Sequence, residues 1–238
     1  MLVAGWQKLT LVDYPGKLAT AVFLSGCNFR CPFCHNPQLV TGSVGGEITW
    51  EEVMEFLKRR CKYLDGVVLT GGEPLLNPEI GDWAREIKEL GLAVKVDTNG
   101  SRPEVLKTLV KGEVVDYVAM DVKTALVKER YAMATGTDGM LVEKVLESAD
   151  YFLKRPEDAG WDYEFRTTMV PGLVTADDLD EIGRRLRGGR RYFLQQFDNS
   201  HPMLDVAMAD VRPYGAEDLK ALAETMRDYF EICQVRNI

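Results

Sequence analysis

From residue 19 onward the chain alternates short apolar runs with amphipathic stretches, and this alternation limits the possible folds more than any other feature. Candidate strands lie at 19–25, 66–70, 92–97, 115–121, 163–169 and 191–197. Each is rich in Val, Leu, Phe or Tyr and bounded by Gly, Pro, Asn or Asp, as buried strands are. Helical patterns fill the gaps: one opens at a Thr49/Glu52 capping box, and others span 78–90, 103–111, 140–154, 175–187 and 216–230. Such alternation implies parallel strands joined by right-handed crossovers. Six units fit either an open doubly wound sheet or an incomplete barrel. The polar residues suited to chemistry fall at the C-terminal ends of strands in several different units, which favours the barrel over a sheet with one switch point. The expected fold is a single α/β domain over 1–238. It comprises an N-terminal arm or hairpin (1–18), a partial TIM-like (β/α)6 barrel of parallel strands (19–200), and a C-terminal loop and helix (201–238). The glycine-rich stretch 42–46 is expected to be a flexible loop.

Composition narrows the function classes. A hydrophobic fraction of 46% with 28% charged residues is ordinary for a globular chain. No apolar run is long enough to span a membrane. The first residues lack the basic start and apolar core of a signal peptide, so a cytoplasmic location and no membrane partner are expected. The net charge of −8 argues against a nucleic-acid partner, which would favour a basic face.

Five cysteines are present, and Cys27, Cys31 and Cys34 form a C-x3-C-x2-C run directly after the first of the parallel strands. In a reducing compartment this clustering reads as metal or redox chemistry rather than a disulfide framework. Cys61 and Cys233 read as small apolar residues on helix faces. A closed zinc site needs four protein ligands; His35 adjoins Cys34 too closely to turn back onto the same ion, and His201 is distant in sequence. Three thiolates suit an iron–sulfur cluster that keeps one iron open.

Other strand ends supply polar groups. In Val67–Pro74 two glycines, Gly71 and Gly72, allow close backbone approach to a ligand, and Glu73 is expected to face the active mouth, where it could meet a cationic amine. Asp97 and Thr98 end the next strand. Asp121 and Lys123 end the one after it, two residues apart and so on one side of an extended chain. Arg166, in an otherwise apolar strand, needs an anionic partner, either a bound carboxylate or an internal acid. Gln195 or Gln196 ends the last strand within expected reach of a bound ligand, and the role of His201 is open.

The cysteine run, with Phe33 just before its third thiol, resembles the signature of the radical S-adenosylmethionine (SAM) superfamily. That resemblance implies a [4Fe–4S] cluster on Cys27, Cys31 and Cys34, with SAM chelating the fourth iron and Phe33 near the adenine. Reduction would cleave SAM to methionine and a 5′-deoxyadenosyl radical. The Gly71-Gly72-Glu73 turn is similar to the family's motif for the SAM ammonium. Asp97-Thr98-Asn99-Gly100 followed by Asp121-Val122-Lys123 resembles the glycyl radical enzyme activases. There Asp97, Thr98 and Asp121 would hold a monovalent cation and the SAM carboxylate, and Lys123 would lie near the cofactor. A basic residue near a Val-Pro-Gly turn, here Arg166, would be a further SAM contact. The opening Trp6-Gln7-Lys8…Asp13-Tyr14-Pro15-Gly16, with Phe29–Pro37, is similar to the anaerobic ribonucleotide reductase activating proteins. The implied partners are a glycyl radical enzyme of that kind and a flavodoxin- or ferredoxin-type electron donor. Activases with extra clusters need four more cysteines for each, which Cys61 and Cys233 cannot provide. The alternative within the superfamily is a small-molecule enzyme similar to the 7-carboxy-7-deazaguanine synthases.

Overall fold

The computed structural model describes residues 3–41 and 48–236, so the loop expected at 42–46 lies outside the described residues. Eight strands form one sheet in sequence order: β1 (Val3–Thr10), β2 (Ala19–Leu24), β3 (Gly66–Gly71), β4 (Ala93–Thr98), β5 (Tyr117–Asp121), β6 (Asp162–Met169), β7 (Gly189–Gln196) and β8 (Phe230–Arg236). β1 runs antiparallel to β2, and every later neighbour pair is parallel. The two edge strands do not pair, so the barrel stays open. The partial barrel expected from the sequence is present, with the arm realised as a β1–β2 hairpin.

The helices are α1 (Pro37–Thr41), α2 (Trp50–Arg60), α3 (Ile80–Glu89), α4 (Pro103–Lys111), α5 (Lys128–Thr135), α6 (Val142–Leu153), α7 (Ala176–Arg185) and α8 (Ala216–Met226). The Thr49/Glu52 capping box forms as read, with both reciprocal hydrogen bonds made (2.8 and 3.2 Å). α2 then buries Val53, Met54 and Leu57 and stacks Trp50 on Trp83 of α3 at 4.3 Å.

Alternation along each strand sorts the side chains. Val22, Leu69, Val96, Val118, Phe165 and Leu194 point outward into the main core with Ile87, Leu109, Phe152 and Ile182 of the helices. The intervening positions face the barrel interior, which is apolar only at its base, where Tyr14 closes it over Ala19, Ala21, Val68 and Tyr117.

The C-terminal segment departs from expectation. The helix expected to run to 230 ends at Met226, and the chain continues as β8, a seventh parallel strand. Cys233 therefore sits on a strand rather than a helix face, and Cys61 caps the end of α2. β8 is held from inside the barrel: Arg236 forks onto fully buried Glu164 at 2.6 and 2.9 Å, and Tyr117 donates to the same carboxylate at 2.7 Å. A polar residue aligned with β6 two strands away gives no hydrophobic signal, which is why no strand is read beyond the helix expected at 216–230. Among the described residues no helix is long and apolar enough to cross a membrane.

Candidate active site

β2 delivers the cysteine loop. After Leu24 the chain turns at Gly26 (φ +87°), and Cys27, Cys31 and Cys34 follow, all three lining one cavity of 220 Å³ at the C-terminal ends of the strands. The loop is fastened on every side by backbone hydrogen bonds. Arg30 N–H donates to Thr135 of α5 (2.7 Å), Cys34 N–H turns back to Cys31 (3.0 Å), and Leu204 and Asp205 donate to Cys34 and Pro32 (3.2 and 2.9 Å). Buried Phe29 packs edge-on against Tyr131. Among the described residues no three His, Cys, Asp or Glu side chains converge closely enough for a single metal ion. Three thiolates on one cavity suit an iron–sulfur cluster that leaves one iron open. Burial raises the Cys27 thiol and pushes Cys31 up to about 12, so both are protonated until coordination draws the protons off. The Cys27 sulfur already receives Phe29 N–H at 3.4 Å and the Asn99 amide at 3.9 Å.

The glycine turn is stitched to this loop. Gly72 N–H donates to Leu24 (2.8 Å) and Glu73 N–H to Gly26 (2.9 Å). A Cβ on Gly72 would fall 2.0 Å from the Gly26 carbonyl oxygen, which leaves no residue but glycine at this crossing. Gly71 and Gly72 line the cavity, whereas Glu73 does not. Its side chain has no exposed surface, and its carboxylate accepts from Thr98 Oγ1 (2.8 Å), Asn99 N–H (2.7 Å) and Leu75 N–H (3.1 Å). The expectation that Glu73 faces the mouth is corrected: three nearby donors outcompete an open position, and the acid welds the β3 turn to the β4 turn. Burial raises its carboxyl from 4.5 to about 7 against the three donors that lower it. The folded protein thus binds the proton more tightly than the unfolded chain. The stability this confers is complete below about pH 4.5 and is lost as pH rises through about 7, an effect of up to about 3 kcal/mol. Urea unfolding between pH 5 and 8 is expected to show a downward slope that Glu73→Gln flattens. Parallel slopes would refute this account.

The remaining groups form one ionic chain across the barrel mouth. Arg166 donates from Nε to Asp121 Oδ1 at 2.8 Å and from its terminal nitrogen to Asp97 Oδ2 at 3.4 Å, and Lys123 Nζ holds Asp121 Oδ2 at 2.9 Å. Against the penalty of burial, Arg166 and Lys123 hold the Asp121 carboxyl down to about 2. Arg166 therefore has the internal acids that its strand position demanded. Phe33, Asp97, Thr98, Asp121, Lys123 and Arg166 all line the cavity with the thiols.

A monovalent cation between Asp97, Thr98 and Asp121 would have to share oxygens that protein donors already contact. All four carboxylate oxygens meet protein donors, and the Thr98 hydroxyl is used by Glu73 and by Gly100 N–H. Sequence reasoning also passed over Thr70, Asn99 and Thr168, which line the same cavity. Thr168 was legible, two residues beyond Arg166 on one strand face. Asn99 was hidden in what reads as turn chemistry, yet its amide ties the β4 turn to Asn28 of the cysteine loop at 2.9 Å. Gln195 and Gln196 line a neighbouring cavity of 680 Å³ that touches the first at His35 and Thr168. His201 stands beside His35, ring centroids 6.4 Å apart.

The profile of the Radical SAM superfamily matches residues 22–187. A Methanocaldococcus jannaschii protein named "Putative glycyl-radical enzyme activating enzyme" is 33% identical over 100% of this chain and 96% of its own length. The pyruvate formate-lyase-activating enzyme of Clostridium pasteurianum is 30% identical over 94% of this chain and 96% of its own. Among solved structures, Streptococcus suis SuiB bound to S-adenosylmethionine superposes with a TM-score of 0.68 at 14% identity, covering 91% of this chain and 52% of SuiB. A radical SAM methyltransferase from Sphaerobacter thermophilus gives 0.66 at 19% identity, covering 96% and 68%. These two likenesses concern the fold. With three thiols and a glycine turn on one cavity of an open parallel barrel, and relatives of this length named for activating glycyl radical enzymes, the chain belongs to the radical SAM superfamily, which uses a [4Fe–4S] cluster and S-adenosylmethionine, and within it to the glycyl radical enzyme activases.

Proposed function

We propose that the partner is an anaerobic ribonucleotide reductase, on which this enzyme removes a hydrogen atom from one glycine and leaves the radical there. In this reading Cys27, Cys31 and Cys34 ligate the cluster. Phe33, Gly71, Gly72, Asp97, Thr98, Asp121, Lys123 and Arg166 surround SAM, and Glu73 serves by holding the Thr98–Asn99 turn. When bound, the cluster supplies the single electron that reductive SAM cleavage requires. A flavodoxin- or ferredoxin-type donor would deliver it. The chain's own part is positional: the two glycines admit the cofactor backbone-close, and the cations of Arg166 and Lys123 draw its carboxylate.

The observation that carries a protein substrate is the pair of touching cavities. The 220 Å³ space lies against the thiols, and the 680 Å³ space beside it, lined by Gln195, Gln196 and Asp198, presents polar side chains to an entering peptide loop. The Trp6–Gly16 opening favours the reductase over pyruvate formate-lyase as the source of that loop. Reduced, cluster-loaded enzyme mixed with SAM and each candidate in turn is expected to give a glycyl EPR doublet with the reductase. A doublet with pyruvate formate-lyase alone would reassign the partner. SAM cleavage driven by a small molecule, with no doublet, would remove the protein substrate.

A further inference from the structure

The ionic chain at the mouth has one further member. Lys95 lies on β4 two residues before Asp97, so it points to the same inner face, and its side chain is only 1% exposed. An ammonium buried to this degree is costly unless paired. Its partner is Asp97: Lys95 Nζ meets Oδ1 from below while Thr70 Oγ1 and Arg166 take Oδ2. Lys95 is not part of the cavity wall, whereas Asp97 is. The lysine therefore acts on the cavity through the aspartate.

Charge counting gives this arrangement a function. Asp97 and Asp121 supply two negative charges; Arg166 and Lys123 supply two positive ones, and this group would be neutral by itself. Lys95 makes it three cations against two carboxylates, the nearby Glu164 being neutralised by its own pair with Arg236. A net positive floor is what a ligand carboxylate entering the cavity needs. A mobile cation between acids would provide the same charge, but here the oxygens it would use are already engaged.

We propose that Lys95 is a built-in replacement for the monovalent cation expected at this site, a positioning residue that fixes Asp97 and lets the enzyme bind SAM independently of K⁺ or Na⁺. A covalently held ammonium cannot diffuse away; burial favours its neutral form, and the ion pair with Asp97 opposes that by favouring the charged one. A free ion would dilute away.

The inference rests on the cofactor reading of the cavity and is tested on the cluster-loaded enzyme. SAM affinity, measured by anaerobic equilibrium dialysis at constant ionic strength, is expected to be the same within about twofold in KCl, NaCl and choline chloride. Lys95→Ala removes the charge and opens room for an ion. Its SAM affinity in choline chloride is expected to fall roughly tenfold or more, with recovery on adding KCl. As a readout independent of SAM, thermal unfolding of Lys95→Ala should rise with KCl relative to choline chloride, while the parent enzyme should not respond. Parent SAM binding that weakens about tenfold without K⁺ overturns the proposal without any variant, so a Lys95→Ala chain that fails to fold leaves it open to refutation. Undiminished binding by the variant in choline chloride also overturns it. Absence of SAM binding in every salt would overturn the cofactor reading and this inference together.

Discussion

Replacement of Cys31 by alanine is expected to abolish the cluster, with loss of the absorption at roughly 400 nm, of the bound iron (about four per chain in the parent) and of SAM cleavage to background. The magnitudes separate this from unfolding. Cys31 is 7% exposed, so trimming its thiol in the cluster-free chain costs only about 1 kcal/mol of packing. The loop is held by backbone bonds at Arg30, Pro32 and Cys34 that do not need the sulfur. Cys27→Ala and Cys34→Ala should behave alike, and Cys61→Ser, at the far end of α2, should keep full iron content. Iron and absorption retained in Cys31→Ala, or lost in Cys61→Ser, would defeat the ligand assignment.

Arg166→Leu is expected to destabilise the fold by about 3 kcal/mol, because it leaves Asp97 and Asp121 without the guanidinium that both share in a site where Arg166 is 12% exposed. For a chain of 238 residues this corresponds to a fall in Tm of about 6–12 °C. The same change removes a cation from the cavity wall, so SAM binding should weaken in parallel. Arg166→Lys keeps the charge but lacks the second arm of the fork, and should fall between parent and Leu. An Arg166→Leu protein as stable as the parent would show that the two acids are satisfied without it.

The two experiments divide the site into what was legible and what was not. The cysteine loop was readable because its spacing is local: three thiols within one turn-rich segment can reach one centre whatever the rest of the chain does. The glycine turn and the acids at strand ends were readable for a related reason. Strand alternation and the rule that parallel barrels gather chemistry at their C-terminal ends place Asp97, Asp121, Lys123 and Arg166 at one mouth without coordinates. What each group does there was not readable. Glu73 has the sequence signature of a residue facing the ligand, yet three donors from two turns enclose it. Lys95 carries no signal in the sequence that would single it out, yet it is buried and paired with Asp97.

β8 marks the same boundary at the scale of the fold. Its inward Arg236 finds Glu164 across 72 positions of sequence, a pairing that no periodicity announces. The sequence by itself determined the strand–helix alternation, the thiol trio and the set of charged residues at the mouth, because those follow from local spacing and period. Only the tertiary structure decided which oxygen each cation occupies. Ion pairs form between strands whose register is set by the packing of the whole sheet, and a carboxylate cannot be assigned to a ligand until its neighbours have made their claim on it.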